Sequence, residues 1–302
     1  MINKQLNAIG LLLLLGFIWG TGYSIARFAT THDVPPLGYS FWQSLGPAIL
    51  ISLLAYMKKS RLKLSAGHLK YYLICGLTGI VIPNTNMYFA APHLPAGLLA
   101  VIVNTVPIIA YPLALFAGVE SFNIMRLAGI ISAISGLMLI ILPATSLPSS
   151  DMLPWVLSTL ITPLSFAFCA IYISRYRPTE GDSLSLAAGT LIASTLMLLP
   201  FVVLSHHFYA LHIPPTMPDL VILLEIILSS VGYILLFKLI KIAGPVYYSL
   251  VDTIVSLTGL FWGYILFHEK LNQWTAPAVT FIILGLVLIN IKQVIDFKRN
   301  IR

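Results

Sequence analysis

The chain is predicted to be an all-α membrane protein of ten transmembrane helices, arranged as two inverted five-helix repeats. Three observations predict this. Of its 302 residues 58% are hydrophobic and only 9% charged, whereas soluble domains carry roughly 25% charged residues and must present a wetted surface. The apolar runs follow one another closely, each near the roughly 20 residues that cross a bilayer core. Features of the first half also recur in the second at a shift of 149 residues.

Reading the runs between charged or turn-rich breaks gives spans at 8–29, 37–56, 70–91, 95–118, 122–142, 153–174, 184–205, 218–240, 244–267 and 273–291. The first resembles a signal peptide in its leucine run, but it continues through Phe17, Ile18 and Trp19 without a small-residue cleavage site. It is read as a retained helix. Spans three and four meet at Ala91-Pro92-His93-Leu94-Pro95, where two prolines favour a tight turn over one long helix. Spans eight and nine meet at Lys241-Ile242-Ala243-Gly244-Pro245 in the same way.

Charge sets the orientation. With both termini in the cytoplasm, 15 of the 17 basic residues lie at or near the cytoplasmic face, and only Arg27 and Lys270 lie opposite. The net charge of +7 is thus a topology signal and does not point to nucleic acid. Lys58, Lys59, Arg61 and Lys63 also suit anionic lipid heads. Cys75 and Cys169 fall inside spans without motif partners and are expected to be buried, inert thiols. His206, His207 and His212 share an outer loop and read as loop histidines rather than a zinc site. No metal or cofactor is expected.

The repeat places Glu120 on Glu269, Gly136-Leu137-Met138-Leu139-Ile140 on Gly285-Leu286-Val287-Leu288-Ile289, and Tyr23 on Tyr172. The halves divide at 1–146 and 147–302. Five helices is an odd number, so the halves enter the membrane in opposite directions, an arrangement recurrent in secondary transporters.

Trp19-Gly20-Thr21, Pro95-Ala96-Gly97, Pro107, Glu120, Gly129 and Gly136, with Gly244-Pro245, Glu269 and Gly285 in the second half, resemble the EamA-type drug/metabolite transporter family over nearly the whole chain. The resemblance implies ten helices, a central substrate cavity, export of small metabolites and a place in the bacterial inner membrane. The chain departs from the family pattern at Gln43, where many relatives carry arginine. It departs again at Ser256, the equivalent of Pro107, and at Phe168-Cys169, the equivalent of Trp-Gly. No membrane-embedded glutamate lies in the first helix, so the proton coupling of the small multidrug exporters is not carried over.

Polar residues inside the spans are the candidate site. Glu225 and Asp252 are the acids deep within them, and an ionisable group at depth faces protein or water. At about 1.5 Å of rise per residue, Tyr23, Gln43, Asn84, Asn86, Asn104 and Glu225 reach one outer-to-middle layer. Glu225, Ser229 and Tyr233 share a helix face, as do Asp252 with Ser256, Trp19 with Tyr23, and Asn104 with Tyr111 around Pro107. Tyr88 completes the substrate-binding candidates, and Glu225 and Asp252 are also the proton-coupling candidates. A neutralising Asp252–Lys238 pair would leave Glu225 the freer acid. Trp155 and Trp274 read as interfacial anchors.

No Walker loop, His-Glu-x-x-His pattern or nucleophile elbow is present. The expected function is therefore a secondary transporter, not an enzyme. It would move a small polar metabolite, an amino acid or amine, with protons as a second partner and no obligate protein partner. Phosphorylated substrates are disfavoured because deep basic groups are few. The rival class is a membrane-embedded enzyme or lipid-handling protein.

Overall fold

A computed structural model describes residues 2–116, 118, 121–142, 147, 149–243, 250–270 and 272–299, with side chains for these except 2–6, 237, 240, 241, 243 and 290–299. All regular structure among them is helical, in ten rods. These are α1 (Ile2–Thr31), α2 (Pro36–Met57), α3 (Ala66–Ala90), α4 (Ala96–Phe116), α5 (Ile124–Ile141), α6 (Ser150–Tyr176), α7 (Ser183–Leu204), α8 (Met217–Ala243), α9 (Val251–Phe267) and α10 (Thr275–Arg299). Eight of them, α1 to α8, contain stretches long and apolar enough to cross a membrane. The described part of α9 and the Thr275–Ile289 part of α10 are apolar but shorter. By length and composition the described residues thus give eight candidate spans, where the sequence predicts ten. The expected start of the ninth span at Gly244-Pro245 lies outside the described residues, as does Glu120.

Side-chain caps start the rods where the sequence breaks its apolar runs. Asn123 Oδ1 accepts from the amides of Met125 and Arg126 at 2.9 and 3.1 Å, and Asp182 Oδ1 from Ser185 at 2.8 Å. Both satisfy donors that the first helical turn leaves without partners. Prolines interrupt the rods in the middle. α4 breaks at Asn104-Thr105, just before Pro107, and the Asn104 amide donates to the Ala100 carbonyl at 2.7 Å. α3 carries a π-helical turn at Leu77–Val81 ahead of Pro83. There the hydroxyls of Ser165 and Thr162 donate to the carbonyls of Thr78 and Pro83 at 2.7 and 3.0 Å. Irregular backbone at this depth is tolerable only with such substitutes.

The packing is symmetric. α2 packs on α7, α4 on α9 and α5 on α10; α1 packs on α8 as α3 does on α6, α1 on α9 as α4 does on α6, and α2 on α8 as α3 does on α7. Exchanging the two halves maps this set of pairs onto itself. The α5–α10 crossing shows why glycine is required. A Cβ at Gly129 would lie 2.7 Å from the Gly285 carbonyl oxygen, and one at Gly285 2.5 Å from that of Gly129. Gly136 likewise abuts Ala278, whose carbonyl oxygen would be 2.5 Å from such a Cβ.

The bundle's two ends are tied by different contacts. At one, Ser60 donates to Asp182 at 2.6 Å, Lys63 pairs with Glu180, and His68 Nε2 bonds the Glu180 carbonyl at 2.9 Å. At the other, Trp42 Nε1 donates to the Tyr209 carbonyl at 2.8 Å, and His212 approaches Asp219 at 3.2 Å.

Candidate functional site

Between the halves lies a cavity of about 690 Å³. Ten of the thirteen candidate residues line it: Trp19, Tyr23, Asn84, Tyr88, Asn104, Tyr111, Glu225, Ser229, Tyr233 and Asp252. The helix faces read from the sequence account for this, since i, i+4 neighbours on one rod point the same way. The proline breaks contribute as well, because Gly79, Val103 and Pro107 are in the wall.

Glu225 is 7% exposed on α8. Its Oε1 accepts from the Ser229 hydroxyl at 3.0 Å, while its Oε2 is buried without a hydrogen-bond partner. Gly22 of α1 makes room for it, since a Cβ there would stand 2.8 Å from Oε1. Buried polar atoms are normally satisfied, and this carboxylate oxygen is an exception. Nearby, Asn104 Nδ2 donates to Tyr23 Oη at 3.0 Å, and the rings of Trp19 and Tyr233 meet edge-on at 6.3 Å.

Three candidates do not line the cavity. Gln43 stands behind it, its Oε1 3.4 Å from the Ser229 hydroxyl and its Nε2 buried without a partner. Asn86 spends its amide between helices, donating to the Ser158 carbonyl at 2.9 Å and to Thr162 at 3.0 Å. Ser256 is fully buried and donates to the carbonyl of Asp252 at 2.9 Å. Depth had gathered Gln43 and Asn86, and helical phase Ser256; the packed neighbours occupy the polar groups of Asn86 and Ser256 and set Gln43 behind the wall.

The Asp252–Lys238 pair is also corrected. No ion pair joins them, and Lys238 is exposed. An ammonium gives up its hydration only for a close partner, and Asp252 instead faces the cavity.

Arg126 was not singled out as a site residue, yet it lines the cavity, its guanidinium 5.2 Å from the Tyr111 ring centre. Tyr111 is held by its hydroxyl, which donates to the Ser121 carbonyl at 3.0 Å and accepts from the Asn123 amide at 2.7 Å. The cap at Asn123 places Arg126 in the first turn of α5, a signal the charge count had absorbed as topology.

Glu269 closes the opposite end of the α4–α9 pair. Its Oε1 accepts from the Ala96 amide at 2.6 Å and its Oε2 from the Gly97 amide at 3.0 Å, and it forms an ion pair with Arg27. Arg27 also lies over the Phe267 ring at 4.7 Å. The carboxylate thus sits at a helix N-terminus, where the backbone dipole favours an anion.

Comparison with known proteins agrees with this architecture. The EamA-like transporter family matches residues 6–142 and again residues 153–291. The chain is 24% identical over 201 residues to "Uncharacterized transporter YoaV" of Bacillus subtilis (strain 168), covering 67% of each. It is 23% identical over 285 residues to "Protein PecM" of Dickeya dadantii (strain 3937), covering 90% of this chain and 88% of that one. A solved crystal structure shares the fold at a TM-score of 0.60 and 15% identity, covering 93% of this chain and 95% of that one.

Proposed function

We propose that this chain, which belongs to the EamA-like transporter family, is a secondary carrier exporting a small amine or amino acid across the cytoplasmic membrane. The observation that carries this reading is the cavity wall itself. Two carboxylates, Glu225 and Asp252, stand among Trp19, Tyr23, Tyr88, Tyr111 and Tyr233, with Arg126 as the one Lys or Arg among the described lining residues. Aromatic faces and carboxylates suit an ammonium. A phosphoryl group calls for a clamp of several cations, and the described lining residues supply one.

In this reading the ten rods all cross the bilayer, both termini are cytoplasmic, and the halves are inverted repeats. The self-mapping set of helix pairs supports it. The cavity then extends toward the cytoplasmic side at Arg126 and Ala114, while the Arg27–Glu269–Gly97 cluster shuts the outer side. Transport requires the outer cluster to part as the inner side closes, which two pseudo-equivalent halves achieve by exchanging conformations. Glu225 receives the ammonium, or a proton when the substrate leaves.

A flux screen in proteoliposomes tests this, with labelled amines, amino acids and sugar phosphates offered singly. Saturable amine or amino-acid flux supports the reading. Conversion of a substrate without flux, or sugar phosphates as best substrates, contradicts it.

A further inference from the structure

We propose that Cys75 and Cys169 are an oxidisable pair, whose disulfide ties the two halves together and arrests transport. The arrest rests on the carrier reading above; the bond itself does not.

The cysteines belong to opposite halves, Cys75 on α3 and Cys169 on α6. Far apart in sequence, they are brought together by the α3–α6 packing. The Cys169 thiol donates to the Cys75 carbonyl at 3.9 Å, and the two side chains belong to one buried cluster. Gly79 makes the approach possible, because a Cβ there would stand 2.7 Å from the Cys169 sulfur. Tyr71, Tyr72, Leu186 and Ala193 pack around the pair and hold both side chains. A sulfur this close to the other cysteine's backbone, in the same cluster, needs only side-chain rotation and a small shift to approach disulfide geometry.

Access is one-sided. Both residues are buried, at 3% and 6% exposure, but Cys169 lines the cavity and Cys75 does not. A small neutral oxidant that enters the cavity therefore meets Cys169 first. With a diazenedicarboxamide, the Cys169 sulfur adds to the N=N bond and its proton passes to the second nitrogen. The Cys75 sulfur then attacks the Cys169 sulfur. The S–S bond forms, the S–N bond breaks, and the hydrazine leaves with the second proton. Two thiols have lost two electrons and the diazene has gained them.

The site matters because of where it lies. The pair stands beside the π-helical turn Leu77–Val81 of α3, next to the wall residue Gly79. A carrier whose halves exchange conformations must let α3 and α6 shift against each other there. A covalent bond forbids that shift.

The test treats the full chain in proteoliposomes with diamide, then maps peptides without reduction and measures flux. The expected result is a Cys75 peptide linked to a Cys169 peptide, a fall in flux of at least tenfold, and recovery with dithiothreitol. Cys75→Ser and Cys169→Ser should form no link, and Cys75→Ser, outside the cavity wall, should keep its flux under diamide. Two thiols still free to alkylation in denaturant after diamide overturn the proposal, and so does a complete link with undiminished flux. Should the reduced protein carry no amine at all, the carrier reading fails instead, and the peptide map alone decides whether the pair oxidises.

Discussion

Ser132 donates its hydroxyl to the carbonyl of Phe281 at 2.8 Å, and the two residues stand 149 positions apart, the same shift at which the halves repeat. Residues related by the repeat meet each other only near the axis that exchanges the halves. Gly129 and Gly285 cross one turn to one side of this bond, and Gly136 with Ala278 one turn to the other. The α5–α10 pair is thus the seam of the molecule.

Gly285→Ala should therefore destabilise the folded protein by about 1–3 kcal/mol, since its Cβ meets backbone rather than a yielding side chain. Gly10→Ala, with nothing within 4 Å of the added carbon, should change stability by less than about 0.5 kcal/mol. Thermal unfolding in detergent separates them; equal midpoints for the two variants would remove the seam argument.

Glu269→Ala should lower stability by about 2–3 kcal/mol, because it strands the half-buried Arg27 and two helix-start amides together. Arg27→Met should cost less, since the amides keep their acceptor. A larger loss in Arg27→Met than in Glu269→Ala speaks against the amides as the main partners.

Acid should loosen the junction between residues 60–68 and 180–185. The hydrogen bond and charge of Lys63 hold Glu180 below its ordinary pKa. At Asp182 burial works the other way, but hydrogen bonds from Ser60 and Ser185 outweigh it and keep that carboxyl low as well. A carboxylate lowered in the folded state adds stability above its ordinary pKa and loses it as pH falls through the lowered value. Amide exchange at 182–186, corrected for its intrinsic pH dependence, should accelerate relative to the rest of α7 from about pH 4 downward. Uniform behaviour along α7 would show that these contacts add nothing.

Reporter fusions should place the 58–63 loop in the cytoplasm and the 206–217 loop outside. Both loops on one side would end the ten-span topology and the inverted repeat with it.

Much of this molecule is legible in its sequence because membrane helices announce themselves by unbroken apolar length. Helical phase brought Glu225, Ser229 and Tyr233 onto one wall. What stayed hidden depends on partners distant in the chain. The amides that Glu269 caps lie 173 and 172 residues away, and nothing in its own neighbourhood points to them. Cys75 and Cys169 each look inert alone. Asn86 shares the depth of the site residues, but only the position of α6 decides that its amide is consumed by Ser158 and Thr162. Depth follows from counting residues; azimuth requires the packed neighbours.

The central claim is that Glu225 is the acid that transport depends on. Glu225→Gln keeps the size and the hydrogen bond from Ser229 but removes the charge. The direct measurement is flux of labelled amines in proteoliposomes, for wild type and Glu225→Gln, at equal protein level and equal unfolding midpoint, across pH. A fall of at least tenfold is predicted. Loss of pH dependence in the residual flux would assign Glu225 to the proton, and a raised KM with the pH response kept would assign it to the ammonium. Wild-type flux in Glu225→Gln would contradict the account and leave Glu225 a polar contact of α8.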